Sequence, residues 1–263
     1  MKKRLRVPLG ALAIGVRALE KETATYVTRV HRLREGDVFT AFDPELAIEA
    51  DAKLVAIGAR SVEVQIEAIR AAAVTAPRPV TLVQSLGKGD KVDAIVRDAT
   101  ELGVTRVVPV IAERSVVRPD DLRGRADRWR RIAIEAARQC GRGDAPRIDA
   151  PLPLIEALST IGPTTGACLV PGASRSLGDQ MRALGPGDPF TFAVGPEGGF
   201  SPDEIARCEA IGLVAAEMGP LVLRTETVCA AALGALLILG SASRGGSPPF
   251  ATGGSDLGGA GAR

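Results

Sequence analysis

Two short segments in the last third of the chain constrain its fold more than any other feature: each is an apolar strand that runs into a glycine-bearing turn and then directly into a helix. The first is Phe192-Ala193-Val194-Gly195-Pro196-Glu197-Gly198-Gly199-Phe200, followed by Ser201-Pro202-Asp203-Glu204. Ser201 has the N-cap position, Pro202 the first helical position, and Glu204 completes an S-x-x-E capping box. The second is Glu217-Met218-Gly219-Pro220-Leu221-Val222-Leu223-Arg224-Thr225-Glu226-Thr227, leading into an apolar helix over 228–239. Thr225 is the expected N-cap there, and Glu226 faces the positive end of the helix dipole. Strand, turn and helix in this order are the grammar of an open α/β sheet, which binds ligands outside the carboxyl ends of its strands. Glycines at such ends let a ligand approach the backbone closely, although a plain tight turn uses them equally well. Neither turn carries the G-K-[S/T] of a P-loop or the spacing G-x-G-x-x-G, so a phosphate ligand is not indicated.

The rest of the chain divides at Thr75-Ala76-Pro77-Arg78-Pro79, whose two prolines disfavour regular structure and suit a linker. Before it, over residues 1–74, short strands are expected at 38–42, 53–57 and 61–66, the last with strict alternation, which reads as a small β-domain. After it, over 80–241, strands alternate with helices. Val80-Thr81-Leu82-Val83 precedes a helix from about Lys88 with apolar positions at Val92, Ile95, Val96, Ala99 and Leu102. A strand at 106–111 follows, then a helix near 127–140 with Trp129, Ile132, Ala133, Ala136 and Ala137 on one face. Runs at 167–170 and 190–194 have the continuous apolar character of strands buried on both faces. Beyond Ser241 the chain turns glycine- and serine-rich, and 242–263 is expected to be a flexible tail.

Composition adds exclusions. A formal net charge of +2 does not by itself announce a nucleic-acid partner, so local clustering has to carry that argument. Cys140, Cys168, Cys208 and Cys229 form no C-x-x-C pair and His31 is the only histidine, so neither a zinc site nor a disulfide framework has support and a reducing cytoplasm is the expected compartment. The longest apolar stretch, 228–239, is shorter than the roughly 20 residues a membrane span requires, so no membrane association is expected.

GPEGGFSPDE at 195–204 and MGPLVLRTET at 218–227 closely resemble the signature of the ribosomal RNA small-subunit methyltransferase E family. The resemblance extends, in the family's order, through Lys88-Gly89-Asp90-Lys91, Glu101-Leu102-Gly103-Val104, Pro109 with Glu113-Arg114-Ser115, and Ala136-Ala137-Arg138-Gln139-Cys140-Gly141-Arg142. It covers about 80–240. It implies an α/β methyltransferase domain of the SPOUT class, with a C-terminal trefoil knot that periodicity cannot show, preceded by a PUA-like β-barrel. It implies S-adenosylmethionine as cofactor, no metal, a homodimer, and uridine N3 of 16S ribosomal RNA in the 30S subunit as target. Another RNA nucleotide as target, or a non-catalytic RNA-binding protein of the same fold, are the competing readings. Carried over residue by residue, the cofactor pocket comprises Leu169, Val170 and Pro171, then Gly195, Pro196, Glu197, Gly198 and Gly199, then Met218, Gly219, Pro220, Leu223, Arg224, Thr225, Glu226 and Thr227.

The chain departs from the family pattern at Met218, where leucine is frequent, at Arg97-Asp98, and at Asp43-Pro44-Glu45-Leu46, which replaces an acidic-glycine turn. Its arginine-rich Val30-to-Val38 segment resembles the turn that meets RNA in the family. Arg29, Arg32 and Arg34 cluster there, with Lys2, Lys3, Arg4 and Arg6 as further basic residues, against the alternative of a solvated loop. Ten arginines face five acidic residues between Arg114 and Arg147, a local basic excess. Trp129 could stack on a base, but its helical spacing favours the core. For methylation at N3 that nitrogen must lose its proton, leaving negative charge shared with two carbonyl oxygens, which a nearby arginine can stabilise. Arg224 is the first candidate, with Arg138 and Arg142 behind it. His31, the one histidine and the obvious residue type for a base, belongs to the other domain, so no general base is assigned.

Overall fold

The structure, a computed structural model, describes residues 4–87, 90–116, 122 and 124–241. Lys2, Lys3, Lys88, Gly89, two of the arginines in the 114–147 stretch and the 242–263 tail lie outside the described residues.

Residues up to Ala71 build a five-stranded sheet from β1 (Arg6–Pro8), β2 (Gly15–Ala18), β3 (Val38–Asp43), β4 (Ile48–Ile57) and β5 (Val62–Ala71), in the order β1-β3-β4-β5-β2. A short helix, α1 (Lys21–Thr25), continues into a π-helical turn over Tyr26–Val30. The alternation that marks β5 puts Val62, Val64 and Ile66 inward, where they meet Ala50, Ala52 and Leu54 of β4 and Phe39 and Ala41 of β3. β4 begins at Ile48, five residues earlier than the apolar run suggests, because its first half pairs antiparallel with β3 through small alanines. The turn between these strands is closed by Asp43, whose Oδ1 accepts the N–H groups of Glu45 and Leu46 while Oδ2 accepts that of Ala11.

No described strand or helix lies between Ala71 and Val80. The second part runs β6 (Val80–Ser85), α2 (Lys91–Glu101), β7 (Arg106–Ile111), α3 (Arg125–Cys140), β8 (Arg147–Ile148), β9 (Leu152–Pro153), α4 (Leu154–Ile161), β10 (Gly166–Leu169), β11 (Arg175–Ser176), α5 (Leu177–Arg182), β12 (Phe190–Val194), α6 (Pro202–Ala210), β13 (Leu213–Glu217) and α7 (Thr225–Ser241). Its sheet is parallel throughout, ordered β11-β13-β10-β12-β6-β7-β8, with β9 also on β7.

Successive residues of each central strand serve opposite faces. Leu82, Ala167 and Phe192 pack with α2, α3, α5 and α7, whereas Val83, Cys168 and Ala193 pack with α4 and α6. Both faces are therefore covered, which is why these strands read as unbroken apolar runs. Trp129 is fully buried in the first layer, and its indole Nε1 donates to Asp93 Oδ1 at 2.9 Å, so the expected core role is the observed one.

The two parts meet along the C-terminal end of α3. The N–H of Gly143 donates to the carbonyl of Val74 and that of Ala145 to Pro44, while Arg6 binds Glu49 and the carbonyl of Arg142. Arg6 also lies over the Phe42 ring, 5.1 Å from its centroid, and Arg4 pairs with Asp51. Arg4 and Arg6, named above as further basic residues, are thus both engaged within the protein, Arg4 in an exposed pair and Arg6 half-buried at the junction.

Candidate functional site

Three neighbouring strands, β13, β10 and β12, end level with one another: Leu169 stands opposite Val194 on one side and Ala216 on the other. The loops leaving these ends, with the start of α7, enclose a cleft of about 330 Å³. Its walls are Leu169, Val170 and Pro171 after β10, then Val194 to Glu197 and Gly199 after β12, then Ala216 to Gly219 and Leu221 to Thr225 after β13, closed by Val228 of α7. The site falls where an open parallel sheet is expected to bind a ligand.

Local chemistry fixes each wall. The turn after β12 needs glycine at Gly199, whose φ is +69°, and it is pinned at its far end by buried Phe200 and by the capping box of α6. In that box Ser201 Oγ accepts the Glu204 N–H at 3.4 Å and Glu204 Oε2 accepts the Ser201 N–H at 2.9 Å. Arg114 braces the turn from outside, donating to the carbonyl of Gly198 at 2.8 Å. The turn after β13 relies on Gly219 at φ +142°.

At the start of α7 the structure corrects one expectation. Thr225 is the first helical residue rather than the cap, and the carbonyl of Arg224 accepts the Val228 N–H at 2.9 Å. The cap position thus falls to Arg224 itself, which puts its backbone at the positive helix end and leaves its side chain exposed on the cleft wall. Among the described residues lining the cleft, Arg224 is the only basic one.

Two acids line the same cleft. Glu197 pairs with Lys91 at 2.6 Å, and that contact holds the lysine ammonium more strongly protonated than usual, with the charges of Glu197 and Glu226 adding. Glu217 closes β13.

Of the residues expected at the pocket, Gly198, Pro220, Glu226 and Thr227 are not on its wall. Gly198 carries the turn and Glu226 lies toward Lys91. Leu221 and Val222, within the expected stretch from Met218 to Leu223, line it, and so do Val194, Ala216, Glu217 and Val228, which were not expected. The signal for most of them was present: an apolar strand end that feeds a ligand turn contributes its own last residues.

Arg138 and Arg142 do not line the cleft. Arg142 is buried, donating through Nη1 to the carbonyls of Thr100 and Val104 and through Nε and Nη2 to Asp144. Its guanidinium is consumed in joining the α2–β7 corner to the domain junction, so its expected catalytic role is withdrawn. Arg138 pairs with Glu135 and stacks 4.5 Å from the centroid of the Tyr26 ring, where burial lowers its pKa. That contact ties α3 to the π-helical turn, and it too is withdrawn. Arg29, within the same turn, and Arg32 and Arg34, just beyond it, are all exposed, with Arg32 in the left-handed region at φ +55°. Among the described residues no cluster of His, Cys, Asp and Glu could hold a metal, and no helix is long and apolar enough to cross a membrane.

The family described as RNA methyltransferase domain matches residues 74–237, and the one described as RNA methyltransferase PUA domain matches 19–67. Ribosomal RNA small subunit methyltransferase E of Synechocystis is 33% identical over 213 residues, covering 79% of this chain and 68% of that protein. The Bacillus subtilis protein of the same name is 30% identical over 224 residues, covering 82% and 87%. Among solved structures, a ribosomal RNA small subunit methyltransferase E from Neisseria gonorrhoeae bound to S-adenosyl methionine superposes with a TM-score of 0.80 at 30% identity, over 90% of this chain and 98% of that one.

Proposed function

We propose, from the premise that this chain belongs to the ribosomal RNA small subunit methyltransferase E family, that it transfers a methyl group from S-adenosylmethionine to N3 of a uridine in the 16S RNA of the small ribosomal subunit. The observation that carries this reading is the cleft at the ends of β10, β12 and β13, because its residues suit that cofactor. Its volume of about 330 Å³ is in the range of small-molecule sites. Backbone N–H and C=O groups in the glycine and proline turns can satisfy an adenine edge, and apolar Leu169, Val170, Leu223 and Val228 can cover its faces. When bound, the cofactor supplies an already activated sulfonium methyl.

The chain's own residues do the remainder. Leu221 and Val222, 74% and 82% exposed, form an apolar lip that screens the cleft from water. Arg224 presents a permanent positive charge beside it, which stabilises the negative charge that develops on the uracil ring as N3 loses its proton. Exposed Arg29, Arg32 and Arg34 contact RNA phosphates through the PUA-like domain. The SPOUT class, its trefoil knot and a cytoplasmic homodimer belong to the same proposal. The exposed Ile238 and Leu239 at the end of the nearly all-apolar α7 favour a covered face there.

Calorimetric titration tests the cofactor assignment. Binding of S-adenosylmethionine to the purified chain, abolished by a bulky residue at Gly219, supports it; no binding overturns it.

A further inference from the structure

Lys91 is the first residue of α2, a position where a positive charge opposes the helix dipole. An ion pair as exposed as Lys91–Glu197, with side chains 42% and 52% accessible, contributes little to stability. Neither helix formation nor folding therefore accounts for the pair. Its surroundings are nonetheless built for it. Gly87 leaves room for the Glu197 carboxylate, since a Cβ there would stand 3.3 Å from Oε1. Glu226, in the first turn of α7, adds a second negative charge on the lysine, and one of its carboxylate oxygens is buried without a hydrogen-bond partner. Lys91 itself is not on the cleft wall; Glu197 is.

We propose that Lys91 is a positioning residue, holding the Glu197 carboxylate on the cleft wall, where that carboxylate accepts hydrogen bonds from the cofactor's ribose hydroxyls or its ammonium group. The inference rests on the cofactor reading above. Among the described residues Glu197 and Glu217 are the acids lining the cleft, and the Glu197 carboxylate makes an ion pair to a neighbouring helix. A carboxylate left to rotate freely would lose the directed geometry that ligand donors require. Glu226, at the start of α7, adds its negative charge to the lysine's surroundings without pairing with it directly.

The test is calorimetric titration of folded Lys91→Met, Lys91→Arg, Glu197→Gln and the Lys91→Met/Glu197→Gln double variant. The probes are S-adenosylmethionine and methylthioadenosine, which keeps the ribose and lacks the ammonium. Lys91→Met is expected to weaken S-adenosylmethionine binding about tenfold, with Lys91→Arg restoring most of it and the double variant no weaker than Glu197→Gln alone. Equal weakening of both probes assigns the ribose, and weakening of S-adenosylmethionine alone, repeated with S-adenosylhomocysteine, which keeps the ammonium and lacks the sulfonium charge, assigns the ammonium. Unchanged affinities in Lys91→Met, or additive losses in the double variant, overturn the inference while leaving the cofactor reading intact. Failure of the unsubstituted chain to bind S-adenosylmethionine overturns that reading and the inference with it.

Discussion

The carboxylate of Glu204 caps its own helix through one oxygen and accepts the backbone N–H of Glu113 at 2.7 Å through the other. One buried side chain thus fixes both the start of α6, which anchors the glycine turn after β12, and the loop after β7, from which Arg114 reaches back to that turn.

Glu204→Ala removes both contacts and leaves two backbone N–H groups to find other partners. The expected loss is about 2 kcal/mol, the sum of a helix cap and an unsatisfied donor, read from the urea midpoint. A loss under about 0.5 kcal/mol, the scale of an ordinary surface substitution, argues that water replaces the carboxylate.

Arg142→Met tests whether the buried guanidinium is a structural tie. It leaves the carbonyls of Thr100 and Val104 without this donor and Asp144 with only the N–H of Ala76, so stability falls by about 3 kcal/mol while turnover of the remaining folded protein changes little. A normal melting curve with lost turnover restores Arg142 to the catalytic set.

Burial, with the charge of Glu226 adding, pushes the Cys229 thiol up to about 12. Its ordinary value is 9.0, so the associated stability is complete below that pH and is lost as pH rises toward about 12. Cys229→Ala therefore reduces the alkaline destabilisation in that window. Hydrogen bonding to Cys208, with burial, holds the Cys168 thiol protonated as well. A disulfide reagent at pH 8 is expected to label one thiol per native chain, that of exposed Cys140; rapid labelling of more requires an opening of the core.

Arg224→Ala is expected to lower kcat about a hundredfold with little change in cofactor affinity, as for the removal of one stabiliser of developing charge. Small, equal effects on both constants make Arg224 a bystander on the cleft rim.

Much of this organisation was legible because local rules and tertiary packing agree. The Ser201–Glu204 box and the alternation of β5 appear in the structure as the residues dictate. The short strands β1, β2, β8, β9 and β11 were not legible, since two to four residues hold too little pattern and form only because a neighbouring strand offers its edge. The cleft walls were legible as turns, but the roles of Arg138 and Arg142 were not. A guanidinium looks the same in sequence whether it faces RNA or is spent on buried carbonyls and a tyrosine ring. The Lys91–Glu197 pair spans 106 positions and has no local signature.

The most direct test is methyl transfer from labelled S-adenosylmethionine to 30S subunits and to bare 16S RNA lacking the modification, followed by nucleoside mass analysis. The expected product is N3-methyluridine at a single site. Label on a different nucleoside sinks the uridine assignment, and a chain that binds cofactor yet transfers no methyl to either RNA refutes the proposed reaction.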